Sequence, residues 1–302
     1  MFSTASLSYL NLLSQVRNYS INLIQTLLSL LRIAAMTRRK TGIAALKAAN
    51  TSTHCVILGN GPSLRQTLQT QVETLSRSIV FAVNGFALSP YFEVIKPRYY
   101  MLVAPEFYLP TVTPLHQQSR NAIFGQINQR TTWQMTVVMN ALGSRSEVVK
   151  EAFANNPHIK LVFMNLTPIE GFNKFSFFCY EHNLGAVRPY NVLLPSILLA
   201  LNLGFKDIKI TGADHSWHEE VRIDPETNEM TINHEHFYDA QQSRESMYQL
   251  SGKKYYIHAF WQKIYRAFAG YHALKEYATY RGAVITNCSE RSYIDAFERG
   301  QL

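Results

Sequence analysis

Acidic residues are missing from the start of this chain. Residues 1–50 hold no Asp or Glu, against six basic residues: Arg17, Arg32, Arg38, Arg39, Lys40 and Lys47. The first acid is Glu73. The net charge of +8 therefore belongs mainly to this leader, because taking its six cations from the 29 leaves 23 against 21 acids. A body so close to neutral, with no interleaving of aromatic and basic residues, argues against a nucleic-acid-binding face. Cysteine is also scarce. Cys55, Cys179 and Cys288 form no CxxC pair and no Cys/His cluster of zinc spacing. An odd, sparse count argues against a disulfide framework and fits a reducing compartment. No run of 18 apolar residues is present, so a spanning helix is not expected. A secretory leader is not expected either, since no short apolar core precedes a cleavage-type site. Neither GxGxxG nor a Walker loop is found. No internal repeat or low-complexity linker divides the chain.

The leader is rich in Leu and Ile, interrupted throughout by Ser, Asn, Gln and Arg. That composition fits an amphipathic helix on an anionic membrane surface. A helix packed on the body and an organelle transit peptide are the alternatives. The organisation that follows is a basic amphipathic segment over residues 1–50 and one domain over 51–302.

Beyond residue 53 short apolar runs alternate with helical patterns. Strands are expected at His54–Leu58, Ile79–Val83, Tyr99–Val103, Met135–Met139, Lys160–Met164, Asp207–Gly212 and Ala283–Thr286. Helices are expected at Leu64–Leu75 and Asn191–Leu203, the latter closed by Gly204. This rhythm predicts an α/β, Rossmann-like, open and mostly parallel sheet of about seven strands with helices on both faces. Residues 218–234 break it, and Asp224-Pro225-Glu226-Thr227-Asn228 reads as the turn of a β-hairpin insertion. A lid or insertion is expected over about 215–280.

The strongest local signal is Cys55-Val56-Ile57-Leu58-Gly59-Asn60-Gly61-Pro62-Ser63-Leu64, a strand, a glycine turn and a helix. Glycine lets a ligand approach backbone closely. Ser63 is expected to cap the helix, whose N-terminal N–H groups suit a phosphate. Three more polar segments follow strands: Asn84, Ala104-Pro105-Glu106, and Gly212-Ala213-Asp214-His215. Open α/β sheets bind ligands at that edge. Asp214 is a candidate for a hydroxyl or a metal, or a turn residue, and His215 for an acid or base. His215, His218, His234 and His236 would form a metal site only if the hairpin folded back, so none is assigned. His258, in the aromatic stretch Tyr255–Trp261, is a further candidate base.

Taken together, Gly59-Asn60-Gly61-Pro62-Ser63-Leu64, Asn84, the helix before Leu203-Gly204-Phe205, Asp207-Ile208 and Thr211-Gly212-Ala213-Asp214 resemble two related groups. One is the bacterial CMP-sialic-acid-dependent sialyltransferases with a single Rossmann-like domain. The other is the MptE-like group, which includes archaeal 6-hydroxymethylpterin diphosphokinases and bacterial surface-polysaccharide proteins. The resemblance covers residues 54–215 and continues more weakly to Asp295. It implies donor-nucleotide contacts at Asn60, Gly61, Ser63 and Asn84, and a catalytic His in a lid, with His258 the nearest positional match and His236 second. Asn191-Val192 departs from a Thr-Ser pair, and Ala104-Pro105-Glu106 from Asn-Pro-Ser.

The expected activity is therefore a glycosyltransferase at the cytoplasmic membrane face. It would use a nucleotide-activated sugar, CMP-linked in the sialyltransferase reading, a glycan or lipid-linked acceptor, and no metal cofactor. The second reading is a pterin diphosphokinase using ATP and Mg²⁺, with Asp214 and Glu106 near the phosphates. A third is a non-catalytic nucleotide-binding scaffold in polysaccharide assembly.

Overall fold

The computed structural model describes residues 4–35, 42–234, 237, 243–246 and 256–302. Its elements in chain order are α1 (Thr4–Ala35), α2 (Ile43–Ala49), β1 (His54–Leu58), α3 (Leu64–Ser76), β2 (Val80–Val83), α4 (Phe92–Ile95), β3 (Tyr99–Leu102), α5 (Pro114–Arg130), β4 (Met135–Asn140), α6 (Glu147–Phe153), β5 (Ile159–Met164), α7 (Asn173–Glu181), α8 (Leu193–Leu203), β6 (Asp207–Thr211), β7 (Val221–Ile223), β8 (Met230–His234), β9 (Ser243–Ser246), α9 (Ile257–Tyr280), β10 (Val284–Asn287) and β11 (Glu298–Arg299).

Eight strands form one sheet in the order β11-β10-β6-β1-β2-β3-β4-β5, and each neighbouring pair is parallel. The chain steps outward from β1 to β5, then returns to lay β6 on the other side of β1. The topological switch point therefore falls between β1 and β6, where Ile57 is level with Ile210 and Leu58 with Thr211.

Alternation within the strands explains their apolar runs. Cys55, Ile57, Phe81, Val83, Tyr99 and Met101 point into one buried cluster, shared with α8 and α9. Val56, Leu58, Val80, Ala82, Tyr100 and Leu102 point into a second, shared with α3, α5 and α6. A sheet covered on both faces needs apolar side chains at every position, not every second one. All eleven residues of α8 are buried, as an evenly apolar helix requires. Ile43 and Leu46 of α2 belong to the first cluster, so the body begins before residue 50.

Two details differ from the expectation. β11 adds an eighth strand of two exposed charged residues, paired with β10 and tied by Arg299 to the carbonyls of Ser289 and Glu290. The hairpin β7–β8 gains a third antiparallel strand, β9. Its turn is as expected, with Asp224 Oδ1 accepting from the N–H groups of Glu226 and Thr227 at 2.9 and 2.8 Å.

Candidate functional site

The loop after β1 and the loop after β6 are locked together. Gly59 N–H donates to Thr211 O at 2.8 Å, and Gly61 N–H to Gly212 O at 2.9 Å. A Cβ on Gly59 would stand 2.2 Å from Gly212 O, and one on Gly61 2.0 Å from Asp214 Oδ2. These glycines are needed for a close approach of protein to protein. The Asp214 carboxylate accepts from Ser63 N–H at 3.1 Å and from Ser63 Oγ–H at 2.8 Å. Ser63 thus makes no side-chain cap of its own. A carboxylate from another loop sits at the first turn of α3, where the helix dipole favours negative charge. The next N–H groups, of Leu64 and Arg65, bond to Gly61 O and Pro62 O.

This corrects two expectations. The start of α3 does not offer a row of free N–H groups to a phosphate, because Asp214 and the turn itself occupy them. Each Asp214 oxygen already accepts one bond from Ser63, so a metal or hydroxyl would have to share that carboxylate. Burial raises its pKa, against the lowering effect of those two bonds.

Beside this lock lies a cavity of about 640 Å³. Gly59, Asn60, Gly61, Pro62, Asn84, Glu106, Asn191, Gly212, Asp214 and His215 all line it. Segments after β1, β2, β3 and β6 therefore do converge, at the edge where parallel sheets take ligands. Ser63 lies behind the lining. A larger hollow of about 1220 Å³ is lined in part by Ala35 and Ile43, on either side of the stretch 36–41 that lies outside the described residues. It gathers none of the glycine-loop residues.

The opposite wall is built differently. Asn191 Oδ1 accepts from Leu193 and Leu194 N–H at 2.9 and 3.2 Å, starting α8. It also accepts from Tyr271 Oη–H of α9 at 3.0 Å. His215 Nε2 lies 2.7 Å from the same hydroxyl. Since that hydroxyl proton goes to Asn191, Nε2 must be the donor, which leaves Nδ1 as the ring's acceptor. His215 is buried at φ +57°, between the rings of Trp217 and Tyr271. Burial pulls its pKa down to about 3, so it is neutral and weakly basic. It orders Tyr271 and Asn191.

Three buried side-chain atoms, on residues that line this cavity, have no hydrogen-bond partner: Asn60 Oδ1, Asn84 Oδ1 and Asn191 Nδ2. Asn60 is oriented by its own Nδ2, which donates to Val83 O at 3.0 Å. Asn84 is held in the left-handed region at φ +46°, its carbonyl accepting from Tyr100 Oη–H at 2.6 Å. Buried polar atoms are rarely left unpaired, and such atoms on a strained residue mark a functional site.

Lys263 of α9 lines the same cavity. Burial lowers its pKa, while the carboxylate of Glu106 acts the other way. No local motif announces Lys263. Asn140, also on the lining, was findable by the rule that picked out Asn84, since it too ends a strand.

The lid histidines separate. His258 is exposed in the first turn of α9, stacked on Tyr256, and is not part of the lining. His236 lies outside the described residues. Its sequence neighbour Phe237 is buried against the glycine loop, with its N–H donating to Asn60 O at 3.2 Å. Its carbonyl accepts from Arg65 Nε and Nη2 at 3.2 and 2.9 Å. Among the described residues no three His, Cys, Asp or Glu side chains are grouped to hold a metal ion.

No family model matches this chain, and no curated protein matches it. Among solved structures, the MAf glycosyltransferase from Magnetospirillum magneticum AMB-1 is similar over 82% of this chain at 14% identity, with a TM-score of 0.45. The similar region is 33% of that protein, so this chain spans about a third of its length. A likeness this distant carries no argument about activity.

Proposed function

We propose that this chain is a glycosyltransferase-type enzyme that binds a nucleotide-activated sugar in the cavity at the β1–β6 switch point. The observation that carries the ligand class is the set of unpaired buried atoms on Asn60, Asn84 and Asn191, sharing one cavity with Lys263. Turned toward a ligand, the two amide oxygens would take donors such as a base amine or ribose hydroxyls. The amide N–H₂ would take an acceptor, and the Lys263 ammonium on the same lining would face an anion. A nucleotide diphosphate or monophosphate ester combines all three. The transfer reaction itself rests on the resemblance of the NGPSL loop and Asn84 to the sialyltransferases.

In this reading the acceptor hydroxyl attacks the anomeric carbon. The bond from that carbon to the phosphate oxygen breaks, and its electron pair leaves with the nucleotide. Lys263 offsets the charge that develops on the leaving phosphate, the role expected earlier of the α3 terminus. His236 takes the hydroxyl proton. It is taken before His258 because His258 lies off the cavity lining, while His236 lies outside the described residues.

The diphosphokinase reading needs carboxylates to hold Mg²⁺. Asp214 and Glu106 do line the cavity, but the Asp214 oxygens are engaged by Ser63. That reading would need a metal to share the Asp214 carboxylate with Ser63.

A thermal-shift screen against CMP, UDP, GDP and ATP, with and without Mg²⁺, tests the ligand. A nucleotide at 100 times its dissociation constant should stabilise the protein by about 2.7 kcal/mol. A metal-independent shift with CMP or UDP is expected. A shift seen only with ATP and Mg²⁺ would reverse the order of the two readings, and no shift with any nucleotide would remove both. His236→Ala should keep the shift and lose about 100-fold or more of donor turnover, the scale of a general base. Full turnover in that variant would remove the assignment.

A further inference from the structure

Helix α1 docks on the body by its polar side and turns its apolar side outward. Ser29 is fully buried, its hydroxyl donating to Glu170 O at 2.8 Å and accepting from Glu170 N–H at 2.9 Å. Thr26 Oγ1 accepts from Phe172 N–H at 3.1 Å. Arg32 donates to Pro168 O at 3.2 Å and reaches Glu170 Oε2 at 3.4 Å. Arg188 holds the same carboxylate and is the main cause of its lowered pKa. The approach is close: a Cβ on Gly171 would stand 2.1 Å from Thr26 Oγ1. This is a specific contact made by one stripe of the helix.

On the other side Leu12, Val16, Leu23, Ile24, Leu27 and Leu31 are 43–67% exposed. At 3.6 residues per turn they fan over about 120° of the helix, with Thr26, Ser29 and Arg32 opposite. An ordinary docked helix does the reverse, burying its apolar stripe and wetting its polar one. The inverted arrangement needs a second apolar medium outside.

We propose that the outward face of α1 lies in an anionic lipid surface. Charge selects that occupant over a second copy of the chain. Residues 1–50 hold no acid, and five of their six cations remain once Arg32 is given to Glu170, so two leaders repel each other while anionic headgroups attract both. The face is also wider than the two-position seam through which a pair of helices would meet. Its length argues for lying flat. Thirty-two residues make a rod of about 48 Å, and the polar stripe runs along it. No described helix is long and apolar enough to cross a membrane. The loop that receives α1 leaves the carboxyl end of β5, the same sheet edge on which the cavity opens. The inference is independent of the nucleotide reading.

The test is vesicle flotation with the intact protein. It should float with vesicles of phosphatidylcholine mixed with phosphatidylglycerol, much less with phosphatidylcholine alone, and less as salt is raised. Leu23→Asp combined with Leu27→Asp should weaken flotation by at least about tenfold, since apolar burial and headgroup attraction are both opposed. Both positions are exposed, so the thermal melt should not move. If that variant fails to fold, Leu12→Asp with Val16→Asp, farther from the docking contacts, reads the same face. Three outcomes would overturn the proposal. They are wild-type protein that stays off the anionic vesicles, a double variant that floats like wild type, and a solution dimer that the double variant dissociates.

Discussion

The β1–β6 side of the cavity and the α8–α9 side differ in where their polar groups go. On the first, the N–H groups of Gly59 and Gly61 go to Thr211 O and Gly212 O, and Ser63 gives both of its donors to Asp214. On the second, Asn191 is fixed from three directions through its oxygen yet keeps an amide nitrogen unpaired, with Lys263 nearby on the lining. Asn60 and Asn84 join the second kind, each with one atom engaged or held and one unpaired. A glycine-rich turn at a strand end is thus a scaffold here, while the amides that border it carry the recognition.

The largest expected break in this contrast comes from Gly61→Ala, whose methyl would fall on the Asp214 carboxylate. Roughly 3 kcal/mol or more of stability should go, by strain and loss of a buried hydrogen-bond pair. A urea midpoint close to wild type would show that the two loops are not locked. Next comes Lys263→Met, which should cost about 10- to 100-fold in nucleotide affinity by isothermal titration, the scale of a charged hydrogen bond. Asp214→Asn sharpens the contrast from the other side. It should cost about 1–2 kcal/mol as a lost cap while nucleotide affinity changes little. A variant of normal stability that no longer binds would place Asp214 on the ligand.

A further prediction concerns pH. The His215 imidazole takes a proton near 6.5 when unfolded and only at about 3 when buried. The unfolded chain therefore binds the extra proton over that window, and stability falls as pH drops from about 6.5 toward 3. His215→Gln should flatten that part of the acid limb in pH-dependent denaturant melts. An unchanged limb would mean that the ring is not sealed from water.

The sheet was legible in the sequence because strands covered on both faces must be apolar throughout, as His54–Leu58 and Met135–Met139 are. β9 and β11 were not, because Ser-Arg-Glu-Ser and Glu-Arg carry no apolar pattern and depend on a partner strand. In the site, glycine and asparagine at strand ends mark close approach and left-handed backbone, and they led to Asn60, Gly61 and Asn84. Lys263 was hidden, since one lysine among the aromatics of a long helix has no local signature. Asp214 was visible as a residue but not in its role, which exists only once β6 lies beside β1. For α1 the composition showed two faces. It did not show which one docks, because that depends on Glu170 and Phe172, more than 130 positions away.

The closed hydrogen bonding of the Gly59–Asp214 lock also bears on tempo. Amide protons of Gly59 and Gly61 are held whether or not a ligand is present, so they should exchange with solvent at nearly the same slow rate in both states. Half of the binding surface then has no ordering step to complete. In a nucleotide-binding reading, any slow, ligand-dependent rearrangement falls to the rest of the cavity wall.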